Sequence, residues 1–437
     1  MSKIVIIGAG SHVFSRRLII DILSYPELRK STISLVDIDK ERLDLISSFA
    51  KNLVEQYGFK TKIESTTDRR VALDGADYVI LSIRVGGLEA YKLDIEIPAK
   101  YGVMQAVGDT IGPGGVFYGL RHIPVILDIC HDMEDLCPDA LLINYTNPMA
   151  MICWAINDYT RIKSVGLCHS VQGTAATLAR YINAPLNEIS YWVAGINHMA
   201  WFLEFKWRGK DAYPILREKF KDPDVYMKEE MYLSDIVRIE IFRAFGYFNT
   251  ESSQHMSEYV PYFRKRPELL QKFRLITPSE RLRRLEEAHK KRDEELRRLL
   301  REGGKIPIQR SREYCSYIIY SMETGVPNRI NGNVKNSGLI TNLPQGCCVE
   351  VPCLVDEGGV HPCYVGALPP QCAALNRTNI NVQELAVKAA VERDKTLAFQ
   401  AILVDPLTSA LLTIEETRKM VDEMFEAEAK YLPVKFK

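Results

Sequence analysis

The chain has 437 residues, 46% hydrophobic, 9% aromatic and 26% charged, which excludes a disordered or fibrous polymer and allows a core large enough for two packed lobes. Its 56 basic residues balance 56 acidic ones, so no overall field draws nucleic acid or an anionic membrane, and a small neutral molecule is the better partner. Ten cysteines with no export signal and no Cys-x-x-Cys pair point to reduced thiols in the cytoplasm, not to a disulfide framework or a zinc ribbon.

In chain order, Lys3 to Ile7 is an apolar run too short to span a membrane, followed by Gly8-Ala9-Gly10-Ser11-His12 and an amphipathic stretch to Leu23. This pattern predicts a strand, a tight turn and a helix. Further runs at Ile33–Val36, Tyr78–Ile83, Ala140–Ile143 and Ser164–Leu167 each end in polar residues. Together they predict a doubly wound parallel sheet with functional loops at its strand ends. The dense Arg, Glu and Lys of Pro278 to Lys305 read as a solvated helix. Strand-like Cys347–Val355 and helical stretches at Val382–Leu403 and Ile414–Tyr431 suit a C-terminal α+β lobe. No linker marks a boundary, so the division into residues 1–195 for the cofactor and 196–437 for substrate, metal and assembly is approximate.

Gly8-x-Gly10 lets the backbone turn tightly and approach a pyrophosphate, and Asp37 closes the second strand where a carboxylate accepts hydrogen bonds from a ribose. Gly8, Gly10, Ser11, His12 and Asp37, with Arg84 after a later strand, are therefore the cofactor-binding candidates, and they favour NAD over NADP. Cys168 follows the run at Ser164, and His198 lies thirty residues beyond it. A thiolate and an imidazole meeting at strand ends suit a divalent transition metal with open positions for a chelating diol. A Cys and a distant His are more often unrelated core residues.

The ordered segments Gly8-Ala9-Gly10-Ser11, Asp109-Thr110-Ile111-Gly112-Pro113-Gly114-Gly115, Asn144-Tyr145-Thr146-Asn147-Pro148-Met149, Cys168-His169-Ser170-Val171-Gln172-Gly173-Thr174 and Gly195-Ile196-Asn197-His198 resemble the motifs of glycoside hydrolase family 4. The resemblance continues through Glu251-Ser252-Ser253-Gln254-His255 and Asn342-Leu343-Pro344-Gln345-Gly346, and within the family it is nearest to the melibiase-type α-galactosidases. It implies a Rossmann-like fold related to lactate and malate dehydrogenases, bound NAD, Mn2+ or a similar ion held by Cys168 and His198, and a homodimer or homotetramer. It also implies hydrolysis by transient oxidation at carbon 3 of the sugar, metal-assisted loss of a proton from carbon 2, elimination of the aglycone and addition of water.

On this resemblance the base is a tyrosine, Tyr259 or Tyr262, activated by the metal or by Arg264 because a free phenol titrates near about 10. Asn147 binds a sugar hydroxyl. Asp109, Gly112 and Gly114 form a loop over cofactor or sugar, and His255 and Glu258 stand behind the metal. His169 occupies a position where some relatives carry an acidic proton donor, and it is a candidate for both catalysis and substrate binding. The expected substrate is a neutral α-galactoside, with an α-galacturonide or α-glucuronide, met by Arg84, as the alternative. Two rival classes are a 2-hydroxy-acid dehydrogenase and an NAD sensor. Val171 and Thr174 stand where the dehydrogenase needs an Asp and a carboxylate-clamping Arg, and a sensor has no need of the Cys168–His198 pair.

Overall fold

The computed structural model describes residues 1–11 and 14–437. Its twelve strands are β1 (Lys3–Ile7), β2 (Thr32–Val36), β3 (Lys62–Thr66), β4 (Tyr78–Leu81), β5 (Leu141–Asn144), β6 (Ser164–Gly166), β7 (Ile189–Ile196), β8 (Met199–Trp207), β9 (Lys210–Asp211), β10 (Asn328–Lys335), β11 (Cys348–Asp356) and β12 (Gly359–Pro362). They form one sheet in the order β3-β2-β1-β4-β5-β6-β10-β11-β7-β8-β9, with β12 paired to β11. The first six strands are parallel. Ile4 to Ile7 and all of β4 and β5 are buried, as strands covered by helices on both faces must be.

The fold is therefore Rossmann-like, and its strand order reverses between β1 and β4, the point where such sheets open a ligand crevice at the carboxyl ends of the strands. The parallel sheet does not stop at β6. The late strands β10 and β11 insert antiparallel between β6 and β7, so the sheet runs unbroken through residue 195, which lies within β7.

The helix Pro278–Glu302 is exposed along most of its surface but buries Leu282 and Leu296, and Asp293 pairs with Arg42 at 3.3 Å. It is thus amphipathic and packs over helix Lys40–Tyr57, which follows β2. Behind the sheet's far half, helix Pro370–Glu392 places Asn376 so that its amide donates to the Met199 carbonyl at 2.7 Å and accepts from the Trp201 indole at 3.1 Å. Asn379 donates to the Tyr259 carbonyl at 3.2 Å. One helix therefore steadies two segments that face the crevice.

Candidate active site

Gly8, at the end of β1, has φ 86°, and a Cβ there would lie 2.0 Å from the Ser82 carbonyl oxygen. Only glycine fits the turn. The Gly10 N–H donates to Asp37 Oδ2 at 2.7 Å, while Asp37 Oδ1 accepts from the Asp39 N–H at 2.9 Å. Asp37 thus braces the turn from the end of β2 and keeps further lone pairs for a ligand, and the helix cap is Asp39, not Asp37. His12 lies outside the described residues. Ser11 follows the turn and accepts the Ser15 N–H with its carbonyl at 3.1 Å. Arg84 leaves the end of β4, donates to the Tyr118 hydroxyl at 3.2 Å and lies over the Tyr91 ring, with Asp109 as a neighbouring charge.

The metal candidates come together. Cys168 follows β6, and His198 is the second residue of the two-residue turn between β7 and β8. They are joined by a residue that the sequence reading did not assign to the metal: ligand atoms of Cys168, His198 and Glu251 all lie within 4.8 Å of one another. Glu251 reaches this place because residues 248–250 run alongside β8, with Phe202 N–H bonded to the Phe248 carbonyl at 2.9 Å and Thr250 N–H to the Ala200 carbonyl at 2.8 Å. Soft thiolate, imidazole and carboxylate form a donor set that suits a divalent transition ion with open positions. Among the described residues no other such group occurs, and the cysteines near residue 350 are free and mostly buried.

Electrostatics match this reading. Burial pushes the His198 imidazole down to about 4 against the pull of Glu251. Burial would raise the Glu251 carboxyl, but His198 and His255 bring it down to about 2. The pair therefore offers a neutral imidazole and a carboxylate near neutrality. Burial, with the charges of Glu251 and Glu350, holds the Cys168 thiol well above its ordinary value, so a bound cation must displace its proton. Glu350 is itself completely buried and raised to about 8 by that burial.

Ser252 caps the short helix Ser253–Tyr259 by accepting the His255 N–H. His255 and Tyr259, four residues apart, then share one face, with ring centroids 4.4 and 6.3 Å from that of His198. The Tyr259 hydroxyl lies 3.4 Å from His198 Nδ1, while His198 Nε2 faces Glu251 at 3.3 Å. Burial and the charges of Asp109 and Glu251 hold the phenol well above its ordinary value, with a hydrogen bond from Thr110 acting the other way.

Tyr262 does not join this cluster. It is 44% exposed and stacks on Phe245, because the helix ends at Tyr259 and the chain turns outward. Arg264 does not face Tyr259 either; its guanidinium is buried among the Ser257 hydroxyl and the carbonyls of Met104 and Gln254, 3.8 Å from Glu258.

Glu258 holds the loop before Asp109. Its carboxylate accepts the N–H groups of Ala106, Val107 and Gly108 at 2.7, 2.8 and 2.9 Å. Asp109 takes the Thr110 hydroxyl at 2.7 Å and stands 3.9 Å from His255 Nε2. Gly112 and Gly114 are not in that loop but in the first turn of helix Gly112–Leu136. A Cβ on Gly114 would meet the Gly108 carbonyl at 2.5 Å, so that glycine lets the helix abut the loop. Asn147 is half-buried at a cis bond to Pro148, beyond β5. His169 is exposed at the N-cap of helix Ser170–Tyr181, and its charge reaches both Glu251 and His198.

The model of the family 4 glycosyl hydrolases matches residues 3–184, and that of their C-terminal domain matches residues 193–408. This chain belongs to glycosyl hydrolase family 4. It is 43% identical to an alpha-galactosidase of Bacillus subtilis (strain 168), covering 99% of both chains, and 43% identical to one of Rhizobium meliloti (strain 1021), covering 99% of this chain and 89% of that one. An alpha-galacturonidase of Thermoanaerobacterium saccharolyticum is 31% identical over 98% of this chain and 95% of its own.

Among solved structures, lplD of Bacillus subtilis superposes with TM-score 0.87 at 29% identity, over 97% and 99% of the two chains. A Thermotoga maritima 6-phospho-beta glucosidase with manganese, NAD+ and glucose-6-phosphate gives 0.79 at 24% identity, over 98% and 99%. Malate dehydrogenase of Plasmodium falciparum with NADH gives 0.52 at 12%, over 90% and 99%, a likeness of fold. The family 4 chain is a glycoside hydrolase.

Proposed function

We propose that this enzyme hydrolyses α-galactosides with the help of bound NAD+ and a divalent cation such as Mn2+. The observation that carries the reading is the meeting of Cys168, His198 and Glu251 beside Tyr259, at the end of the sheet where the Gly8-Ala9-Gly10 turn opens. When bound, NAD+ supplies reversible removal of hydride from carbon 3, and a cation held by Cys168, His198 and Glu251 supplies Lewis-acid stabilisation of the sugar oxygens.

Loss of hydride at carbon 3 acidifies the hydrogen on carbon 2, and the Tyr259 oxygen takes that proton. With a cation held at Nε2, the neutral His198 ring would carry its proton on Nδ1 and donate it to the Tyr259 oxygen, favouring the phenolate form. The bond between carbon 1 and the aglycone oxygen then breaks, and His169 at the rim protonates the leaving oxygen. Water adds at carbon 1 and gives one proton back to His169, Tyr259 returns its proton to carbon 2, and restoration of hydride at carbon 3 completes a net hydrolysis. Asn147 binds a sugar hydroxyl, and Asp109 borders the same space. Cofactor binding falls to residues 1–195, and metal, substrate and assembly to 196–437, in a cytoplasmic homo-oligomer.

A neutral sugar is favoured because Arg84, the cation that would meet a uronic acid, already has Asp109 beside it. The test is turnover of nitrophenyl α-galactoside, α-glucoside and α-galacturonide by protein supplied with NAD+ and Mn2+ under a thiol. The galactoside should be fastest and should need both additions. Turnover that persists with either withheld after exhaustive dialysis and chelation would overturn the mechanism, and a faster galacturonide would overturn the substrate.

A further inference from the structure

We infer that Glu350 and Asn197 form a buried positioning pair that holds the turn bearing His198. The inference rests on the reading of Cys168, His198 and Glu251 as metal ligands. It starts from backbone strain. Ile196 pairs with Met199 across the β7–β8 hairpin, so Asn197 and His198 alone make the turn, and His198 sits there at φ 64°. A side chain in that left-handed region is strained and persists only where the surroundings over-determine it.

The imidazole's own contacts do little of this. Its two ring nitrogens meet Glu251 and Tyr259 at 3.3 and 3.4 Å, long distances for hydrogen bonds that must oppose strain. The neighbouring side chain is better placed, because Asn197 is completely buried. Among the described residues, neither its amide oxygen nor its amide nitrogen completes a hydrogen bond.

Glu350 occupies the one position on β11 that is in register with both ligand-bearing segments. It lies opposite Gly195 of β7, three residues before His198. It also lies opposite Asn333 of β10, which is itself opposite Gly166 of β6, two residues before Cys168. Its carboxyl is completely buried, and neither oxygen completes a hydrogen bond among the described residues. The donor beside it is the Asn197 amide, two residues beyond the Gly195 that Glu350 opposes. Two buried polar groups, each otherwise without a partner, are costly apart and complementary together.

The pair therefore closes when the site is loaded, with the Asn197 N–H donating to a Glu350 oxygen, and the closed pair fixes the turn that aims the imidazole. Neither residue touches the reacting atoms. If burial were their only role, leucine at position 350 would fill the same volume, remove an unpartnered polar group and raise stability without affecting metal binding.

The experiment titrates Mn2+ into the full-length chain with NAD+ present and a thiol reductant, by calorimetry and by the electron paramagnetic resonance of bound Mn2+. Wild-type protein that binds no Mn2+ overturns the ligand assignment and this inference with it. With wild-type binding established, Glu350→Leu and Asn197→Ala should each weaken Mn2+ binding by about 10–100-fold, as losses behind a ligand do. They should change the resonance line shape and leave NAD+ affinity within about twofold of wild type. Glu350→Gln keeps an acceptor for the Asn197 N–H and should retain most of the affinity. Glu350→Leu that folds and binds Mn2+ as tightly as wild type overturns the pair. Should that variant fail to fold, unchanged Mn2+ affinity in Asn197→Ala does the same.

Discussion

Tyr259 is the proposed base, and its surroundings say how it is to be tested. Its hydroxyl meets His198 Nδ1 and Thr110, and Arg264 is engaged elsewhere, so removing the oxygen should subtract the proposed base and little else. Tyr259→Phe should lower kcat by about 10²–10⁴-fold while Mn2+ and NAD+ affinities, read by titration, stay near wild type. Equal kcat values would remove Tyr259 from the mechanism. A second residue sets a pH limit on the fold. His122 is completely buried, accepts the Val85 N–H at 2.9 Å and has Nδ1 at 2.7 Å from the Tyr118 carbonyl. Burial and the Arg121 charge push it down to about 3. Its folded value thus lies below its unfolded one, so the unfolded chain gains protons first as pH falls through about 6.5. Stability is then lost progressively down to about 3. By pH 5 this amounts to about 2 kcal/mol, and His122→Gln, whose amide can still accept from Val85, should remove that part of the slope in chemical denaturation at pH 7 and 5. The site was only partly legible at this scale. Cys168 and His198 stood in recognisable motifs, and Tyr259 and Tyr262 were both candidates for the base. What separates the two tyrosines is the end of a seven-residue helix, and nothing in the spacing says on which side of that end the cleft lies.

Short elements, not single side chains, deliver most of the site. The helix Ser253–Tyr259 presents His255 and Tyr259 from one face and, through Glu258, ties down the loop at residues 106–108 by three backbone N–H groups. Truncating Glu258 would strand these buried donors, two of them without solvent as an alternative partner. Glu258→Ala should therefore cost about 3 kcal/mol or more, since hydrogen bonds to a charged acceptor are each worth about 1.5–3 kcal/mol. It should also speed amide exchange at Ala106 to Gly108 ahead of the rest of the chain. A loss below about 0.5 kcal/mol in urea unfolding would show that other contacts hold the loop. Five of the six parallel strands were readable from their apolar runs because they are largely buried, whereas β3, at the sheet's edge and partly exposed, carries no such run and was not read. Glu251 was harder to read. It becomes a neighbour of Cys168 and His198 because a segment with no strand pattern of its own pairs beside β8, and because Glu251 itself takes φ 72°. Its motif could be seen in the sequence, but the pairing that gives the motif its place could not.

Across the molecule, a single sheet carries both halves of the proposed chemistry. The insertion of β10 and β11 between β6 and β7 is a long-range antiparallel pairing, and apolar periodicity finds such strands without saying where they insert. Its consequence is that the segments bearing Cys168 and His198 are held by the same two strands, so the proposed metal ligands cannot separate without breaking the sheet. A second long-range tie joins the C-terminal helix to helix Gly112–Leu136. Arg121, completely buried on helix Gly112–Leu136, donates to both oxygens of Asp94 at 2.8 and 2.5 Å and also to Glu428 at the end of helix Ile414–Glu428. Burial raises both carboxyls, and the guanidinium opposes that rise. Such a cluster adds little net stability compared with apolar side chains of equal volume, yet removing one member strands the others in a medium that cannot solvate them. Arg121→Met should then destabilise the protein by about 3–5 kcal/mol, and the triple variant Arg121→Met, Asp94→Leu, Glu428→Leu should recover most of that loss. The Gly114 backbone packs directly against the Asp94 carbonyl, so the single variant should also loosen the loop beside Asp109 and raise KM more than the triple variant does. Thermal unfolding and KM measured on both variants test this, and a triple variant no more stable than Arg121→Met would mean that the charged cluster itself, not the apolar volume around it, holds the C-terminal helix in place.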